Sequence, residues 1–272
     1  SIYPEKSTLD DIKRYLKKTS EFGFSRIFSC LLSVNKPAEE IKKEFTEINE
    51  YAHSLGFEVI VDVSPRVFGE LNISYKDLSF FKEIGADGIR LDAGFSGLEE
   101  SVMTYNPEGL IIEINMSNNV HTLDTIMDYR PNKYKLYGCH NFYPQRYTGL
   151  SESFYIKTSK IFKDAGLRLA AFVTSQVAEH GPHVVDDKLP TLESHRDLDI
   201  EIQTKHLIAL GNIDDIIVSN AYASIDELER VAKAYKPYIT FKLENVCDNL
   251  SVEEKHILSL RHMNRGDLND YL

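Results

Sequence analysis

Short β-branched runs alternate with longer amphipathic stretches along the chain. The runs are Ser25–Leu32, Phe57–Val63, Asp87–Leu91, Leu110–Ile114, Tyr134–Cys139, Leu167–Val173 and Asp215–Ser219, and each predicts a strand. Ser1–Tyr3 reads as the end of an eighth run, cut on its N-terminal side. Between the runs the spacing predicts helices over Leu9–Phe22, Pro37–Leu55, Tyr75–Ile84, Leu98–Met103, Leu123–Tyr129, Glu152–Ala165, Asp197–Leu210 and Ile225–Tyr235. In the second of these, Ile41, Phe45, Ile48, Ala52 and Leu55 recur at three- and four-residue intervals, which gathers them on one helix face.

The punctuation agrees with the pattern. Ser74, Ser96, Ser151 and Ser224 precede predicted helices, where a hydroxyl can accept from an orphan N–H, and Ser96/Glu99 and Ser224/Glu227 have capping-box spacing. Gly23, Gly56, Gly85, Gly166 and Gly211 stand where a helix hands over to a strand, as left-handed C-caps do. Strands and helices in such alternation predict an α/β fold, a (β/α)8 TIM barrel over residues 1–237. A doubly wound open sheet is the alternative, but no G-x-G-x-x-G follows the first strand and no phosphate-binding P-loop occurs.

The rhythm breaks after residue 237. Tyr238–Val246 alternates, with Ile239, Phe241 and Leu243 against Thr240, Lys242 and Glu244, and predicts a half-covered strand. Ser251 and Glu254 then cap a short helix. Residues 238–272 are read as an extension toward a second domain, with a simple cap on the barrel as the alternative.

Composition narrows the function classes. The chain has 272 residues and 42% hydrophobic content, enough for a large core. With 31 basic against 42 acidic residues the net charge is -11, which disfavours a general nucleic-acid binder. The longest apolar run, Leu169–Val173, is too short to cross a bilayer, and Ser1–Asp10 has no signal-peptide pattern. Cys30, Cys139 and Cys247 are far apart and form no C-x-x-C, so a reducing, cytoplasmic setting is expected.

In a barrel, reactive groups gather at the C-terminal ends of the strands. Asp62, Asp92 and Glu113 interrupt apolar strands near those ends, where an unpaired carboxylate is costly. Each could instead pair with Arg66 or Arg90 or cap a loop. Around them fall Tyr3, Tyr143 and Tyr147, the amides Asn115, Asn141, Gln176 and Asn220, and His140. Carboxylates, amides and aromatic faces together suit a polyhydroxylated ligand, and two carboxylates of unequal pKa are what glycosidic cleavage usually needs. Arg146 and the Thr148–Ser151 turn could hold an anion where a helix begins, or the turn could simply be capped by Ser151. His140, His180, His183 and His195 raise a metal reading, but no H-x-H follows the first strand and no H-E-x-x-H occurs, so no metal or other cofactor is expected. A Schiff-base lysine at a strand top is also missing, since Lys135 starts its strand and Lys6 lies in a loop.

At these residues the chain resembles a known family. Ser1–Ser7 (S-I-Y-P-E-K-S), Arg26–Ser33, Leu91–Phe95, the string His140–Pro144 with Arg146–Ser151, and Pro190–Glu193 with His195 and Arg196 are similar to the bacterial 6-phospho-N-acetylmuramidases. The likeness runs the length of the chain. It implies a barrel that in the family precedes a cyclophilin-like domain. It also implies a cytosolic glycosidase of peptidoglycan recycling that splits the β-1,4 link between N-acetylmuramic acid 6-phosphate and N-acetylglucosamine. On that footing Asp92 and Glu113 are expected nearest the scissile bond, with Asp62 in reserve. Glu5 and Glu193 are outer candidates, and Arg146, Thr148 and Arg196 are assigned to the phosphate or the lactyl carboxylate. Two other readings stay open: a phosphosugar-binding barrel without hydrolysis, and a phosphosugar isomerase or phosphatase that would need Mg²⁺.

Overall fold

A computed structural model describes residues 1–32, 36–118, 121–182, 184–185, 187–236, 238, 240, 247 and 249–260. Its elements are α1 (Leu9–Glu21), β1 (Arg26–Cys30), α2 (Ala38–Ser54), β2 (Glu58–Val63), α3 (Pro65–Glu70), α4 (Ser79–Glu83), β3 (Gly88–Leu91), α5 (Leu98–Met103) and β4 (Ile111–Asn115). They continue with α6 (Thr122–Asp128), β5 (Leu136–Cys139), α7 (Glu152–Asp164), β6 (Arg168–Val173), α8 (Ile200–Leu210), β7 (Asp215–Val218), α9 (Ile225–Ala234) and α10 (Val252–Ser259).

The seven strands form one parallel sheet in sequence order, β1 to β7. Ser1–Tyr3 lies in the eighth place: Ile2 makes a parallel bridge to Ser29, and the Ser1 amino group donates to the Val218 carbonyl at 2.8 Å. The protein is therefore a TIM-barrel-like α/β fold, as the alternation predicts. Apolar faces of the helices and the outer sheet surface share one core, with Phe45, Ile48, Phe81, Ile89, Ile112 and Leu169 fully buried in it. A second cluster fills the barrel interior and includes Tyr3, Phe28, Cys30, Cys139, Phe172 and Ile217.

The strand register explains the heights of the interior polar groups. Cys30, Asp62, Arg90, Glu113, Tyr137 and Arg168 pair in turn across five adjacent strand pairs. The row begins at the last residue of β1 and ends at the first residue of β6. Strand tilt thus carries one ladder row from the top of the barrel to its floor. Asp62 and Arg90 stand high in this row, and Glu113 stands lower.

Helices α3, α4 and α5 differ from expectation. Pro65–Glu70 is helical because Ser64 is extended and Pro65, at the first helical position, has its φ preset and gives up only an orphan N–H. The helix expected over Tyr75–Ile84 shrinks to Ser79–Glu83, since Ser74 and Asp77 form a turn and the Asp77 carboxylate accepts from the Ser79 N–H at 3.0 Å. Gly97 rather than Ser96 occupies the N-cap of α5, and its N–H donates to Glu100 at 2.7 Å.

Residues beyond Ile239 pack as a separate unit, whose described part is α10, opened by a Ser251–Glu254 capping box. The strand expected over Tyr238–Val246 lies outside the described residues except for Tyr238 and Thr240.

Candidate functional site

A cavity of about 180 Å³ opens at the C-terminal end of the barrel. Its polar wall is Asp62, Arg90, Asp92 and Asn141, and its apolar wall is Leu32, Phe142, Pro144, Pro182, Val185 and Leu189. Asp62 is the fifth residue of β2, and Arg90 and Asp92 sit two apart at the end of β3. That spacing points both side chains to the same face of the strand. The Asp92 N–H extends the ladder to the Val63 carbonyl at 2.9 Å, so Asp92 is still held by the sheet.

Arg90 organises the polar wall. Its Nη1 donates to Asp62 at 2.6 Å and to Asp92 at 3.3 Å, and its Nη2 donates to the Asn141 amide oxygen. Both carboxylate oxygens contact the same nitrogen, so they lie less than about 6 Å apart. The two acids have different surroundings. Asp62 is fully buried, whereas the Asp92 side chain is 41% exposed. Burial pushes the Asp62 carboxyl up to about 7, against the pull of Arg90 and with help from the nearby Asp92 and Glu113 charges. A carboxyl that keeps its proton beside one open to the cavity is an acid-base arrangement.

The structure separates Glu113 from this pair. Its carboxylate is buried lower in the barrel and pairs with Arg26, the first residue of β1. Arg26 also pairs with Asp215 at 2.7 Å, and Asp215 with Arg168 at 2.9 Å. Glu113 thus belongs to an ionic layer at the barrel floor and does not line the cavity. It was expected at the mouth of the barrel, and strand tilt sets it lower.

The residues expected to hold an anion are tied to one another. Arg146 donates to Asp187 at 2.6 Å and grips Asp197 with two donors. Arg196 is buried and donates twice to Glu193 and also to the carbonyls of Tyr143 and Asp187. Glu193 also accepts from the N–H groups of Tyr147 and Gly149, each at 2.8 Å. Bonds from Arg196 and these amides pull its carboxyl down to about 2, against burial. The turn expected to cradle an anion already holds a carboxylate of the chain. A Cβ on Gly149 would come within 2.6 Å of Glu193, so only glycine fits there. Thr148 donates to the Gln145 carbonyl at 2.6 Å. These groups clamp the loop after β5 to the loop after β6.

Other expected contacts serve the scaffold. Asn220 donates to the carbonyls of Ser175 and Ala178 and accepts from Ser175 and Thr174. Gln176 binds the Arg196 carbonyl and the Glu227 carboxylate, and Asn115 joins the Asp92 carbonyl to the Ser117 N–H. Tyr3 is buried and donates to the Ser219 carbonyl. His140 is buried behind the cavity wall, and burial with the Arg90 charge pulls its pKa down to about 3, so it is neutral. Glu5, Tyr143 and Tyr147 do not line the cavity, although Tyr147, 87% exposed, stands on the loop that follows Asn141. Of the expected set, Asp62, Asp92 and Asn141 come together.

Sequence reasoning treated Arg90 only as a partner for a carboxylate. The Arg90-Leu91-Asp92 alternation at a strand end was the signal for its place in the wall. The apolar wall had no such signal, because loop residues carry no periodicity.

A larger cavity of about 280 Å³ lies at the opposite end, between Phe22–Arg26 and Asp215–Ile217. Its charged residues, Arg26 and Asp215, satisfy each other, and barrel chemistry is built at the other face. No group of three or more metal-ligating side chains occurs among the described residues.

A TIM-type barrel with an acidic cavity at the C-terminal strand ends is a scaffold shared by many hydrolases. Within that class, the family model described as 6-phospho-N-acetylmuramidase, N-terminal, matches residues 1–233, and the chain belongs to this family, whose name is that of a glycosidase. The crystal structure of an uncharacterized B. cereus protein is 49% identical, with a TM-score of 0.84, over 94% of this chain and 69% of that one. A conserved Enterococcus faecalis protein of unknown function is 22% identical, with a TM-score of 0.72, over 85% of this chain and 64% of that one. A trimodular endoglucanase, 10% identical with a TM-score of 0.53, covers 82% of this chain and 55% of its own, and shares the fold. No curated protein matches the chain. No helix among the described residues is long and apolar enough to cross a membrane.

Proposed function

We propose that the barrel hydrolyses the β-1,4 bond of a 6-phosphorylated N-acetylmuramyl–N-acetylglucosamine, with Asp62 as proton donor and Asp92 as nucleophile. The observation that carries this reading is the pair of unlike carboxylates on one guanidinium nitrogen, at 2.6 and 3.3 Å. The family name supports the muramyl substrate.

Asp62 gives its proton to the glycosidic oxygen as the bond from that oxygen to the anomeric carbon breaks. Asp92 closes on the anomeric carbon from the other side. Water then attacks the glycosyl ester and passes its proton to the Asp62 carboxylate, which restores both groups. The two oxygens share one guanidinium nitrogen and so lie less than about 6 Å apart, which favours the spacing of retaining enzymes, about 5–5.5 Å, over the about 6.5–9.5 Å of inverting ones. Arg90 donates to both acids and so orients them. The apolar wall of Leu32, Phe142, Pro144, Pro182, Val185 and Leu189 suits the less polar face and acyl substituents of an amino sugar.

For the phosphoryl group the reading assigns Arg66. It is 64% exposed, donates to the carbonyl of the cavity residue Leu32, and among the described residues meets only Glu70 as an acid, at 3.4 Å. Arg90, Arg146 and Arg196 are already satisfied by carboxylates. Incubating the phosphorylated disaccharide with the chain in chelator tests the reading. N-acetylmuramic acid 6-phosphate and N-acetylglucosamine are the expected products. Saturable binding without products, or turnover only with added Mg²⁺, would overturn it.

A further inference from the structure

His140 sits outside the cavity, yet it is joined to the cavity's polar wall by an unbroken chain of hydrogen bonds. The Asn141 N–H donates to Ser117 Oγ at 2.7 Å. Ser117 Oγ lies 3.0 Å from His140 Nδ1, and His140 Nε2 lies 2.9 Å from Ser159 Oγ. A neutral imidazole with its proton on Nε2 satisfies all three contacts: Nδ1 accepts from Ser117, and Nε2 donates to Ser159. Stacking on Tyr155, with ring centroids 4.6 Å apart, fixes the plane of the ring. From the other side, Thr191 Oγ1 donates to the Asn141 carbonyl at 2.8 Å. Asn141 is thus held at both its N–H and its C=O, with its amide oxygen on Arg90 Nη2.

We propose that His140 and Ser117 are positioning residues, which fix Asn141 so that its amide oxygen holds the Arg90 guanidinium at the fork between Asp62 and Asp92. Without that hold, Nη2 loses its carboxamide partner and the guanidinium can turn to put both nitrogens on Asp62. Arg90 is buried, so a lost hydrogen bond there is not replaced by bulk water. Among the described residues, the groups facing Asp62 are Arg90 and Asp92 from β3 and its end, Glu113 from β4, Cys30 from β1, and Tyr3. Only Arg90 among them is cationic, so its orientation controls the charge that Asp62 meets.

The consequence for turnover rests on the glycosidase reading; the consequence for the Asp62 carboxyl does not. The test is a ¹³C NMR titration of Asp62 in ligand-free protein, with the resonance assigned by its loss in Asp62→Asn. In Ser117→Ala the Asp62 midpoint is expected to fall by about one pH unit or more, as a second guanidinium nitrogen favours the carboxylate. Ser117→Thr keeps the hydroxyl and is expected to restore the native midpoint. His140→Ala cuts the next link and is expected to move Asp62 in the same direction. An unchanged midpoint in a folded Ser117→Ala or His140→Ala protein overturns the proposal, as does an equal shift in Ser117→Ala and Ser117→Thr. If the native chain splits no substrate, the glycosidase reading fails while the titration still decides the positioning role.

Discussion

Replacing Asp62 with asparagine removes the only buried carboxyl among the described residues of the cavity wall, and its effect on stability can be worked from its surroundings. In the native protein burial lifts the group from an ordinary 3.8 to about 7. A shift of about three units, at ~1.36 kcal/mol each, corresponds to about 4 kcal/mol. The sign follows from which state holds the proton. Below pH 4 the carboxyl is protonated in both the folded and unfolded chain, and the stability it confers is fully present. Between pH 4 and 7 the unfolded chain loses its proton while the native chain keeps it, so stability falls as pH rises; above pH 7 the loss is complete. Asparagine cannot titrate. The native-minus-variant difference in unfolding free energy should therefore drop by about 4 kcal/mol from pH 4 to 7.5. Urea melts at half-unit pH steps, compared at constant m, measure it. A flat difference would show an ordinary carboxyl. A difference that rises with pH would show that Arg90, 2.6 Å away, outweighs burial.

Further outcomes follow from the same geometry. With Asp62 as the proton donor, turnover should hold below pH 7 and fall about tenfold per unit above it; a rate still rising at pH 8 would count against Asp62. Proton NMR during hydrolysis should show the β-anomer of the muramyl product first, and early α-anomer would contradict the spacing of the two acids. Arg66→Gln should raise KM for the 6-phosphorylated substrate roughly ten- to hundredfold, the scale of a charge-assisted hydrogen bond, and leave an unphosphorylated analogue unaffected. An equal change for both substrates would dismiss Arg66 as the phosphoryl contact. Glu193→Ala leaves the buried Arg196 uncompensated and should cost about 3–5 kcal/mol in a urea melt, and a change below about 1 kcal/mol would rule out the clamp.

The fold was legible where physics is local. Short β-branched runs located the seven described strands within two residues, and glycines with positive φ at 23, 56, 85, 166 and 211 stand where C-caps were expected. The pattern also marked Asp62, Asp92 and Glu113 as carboxylates that interrupt apolar strands near their ends. It could not announce height, because tilt belongs to the closed sheet and not to one strand; hence Glu113 was expected at the mouth and lies near the floor. Arg146, Arg196, Gln176 and Asn220 looked like ligand contacts because they are polar residues on top loops. Their partners, among them Asp187, Asp197, Glu193 and Glu227, come from loops and helix starts that only the folded chain brings together. The helix Pro65–Glu70 was not expected, because it is six residues long and only Ser64 separates it from the end of β2.

The account stands most directly on turnover of the 4-nitrophenyl β-glycoside of N-acetylmuramic acid 6-phosphate by the native chain and by Asp92→Asn. The native chain is expected to release nitrophenol. The variant, with an unchanged melting temperature, should do so at least ~10²-fold more slowly. Release by Asp92→Asn at the native rate would contradict the assignment of the cavity as the seat of the chemistry.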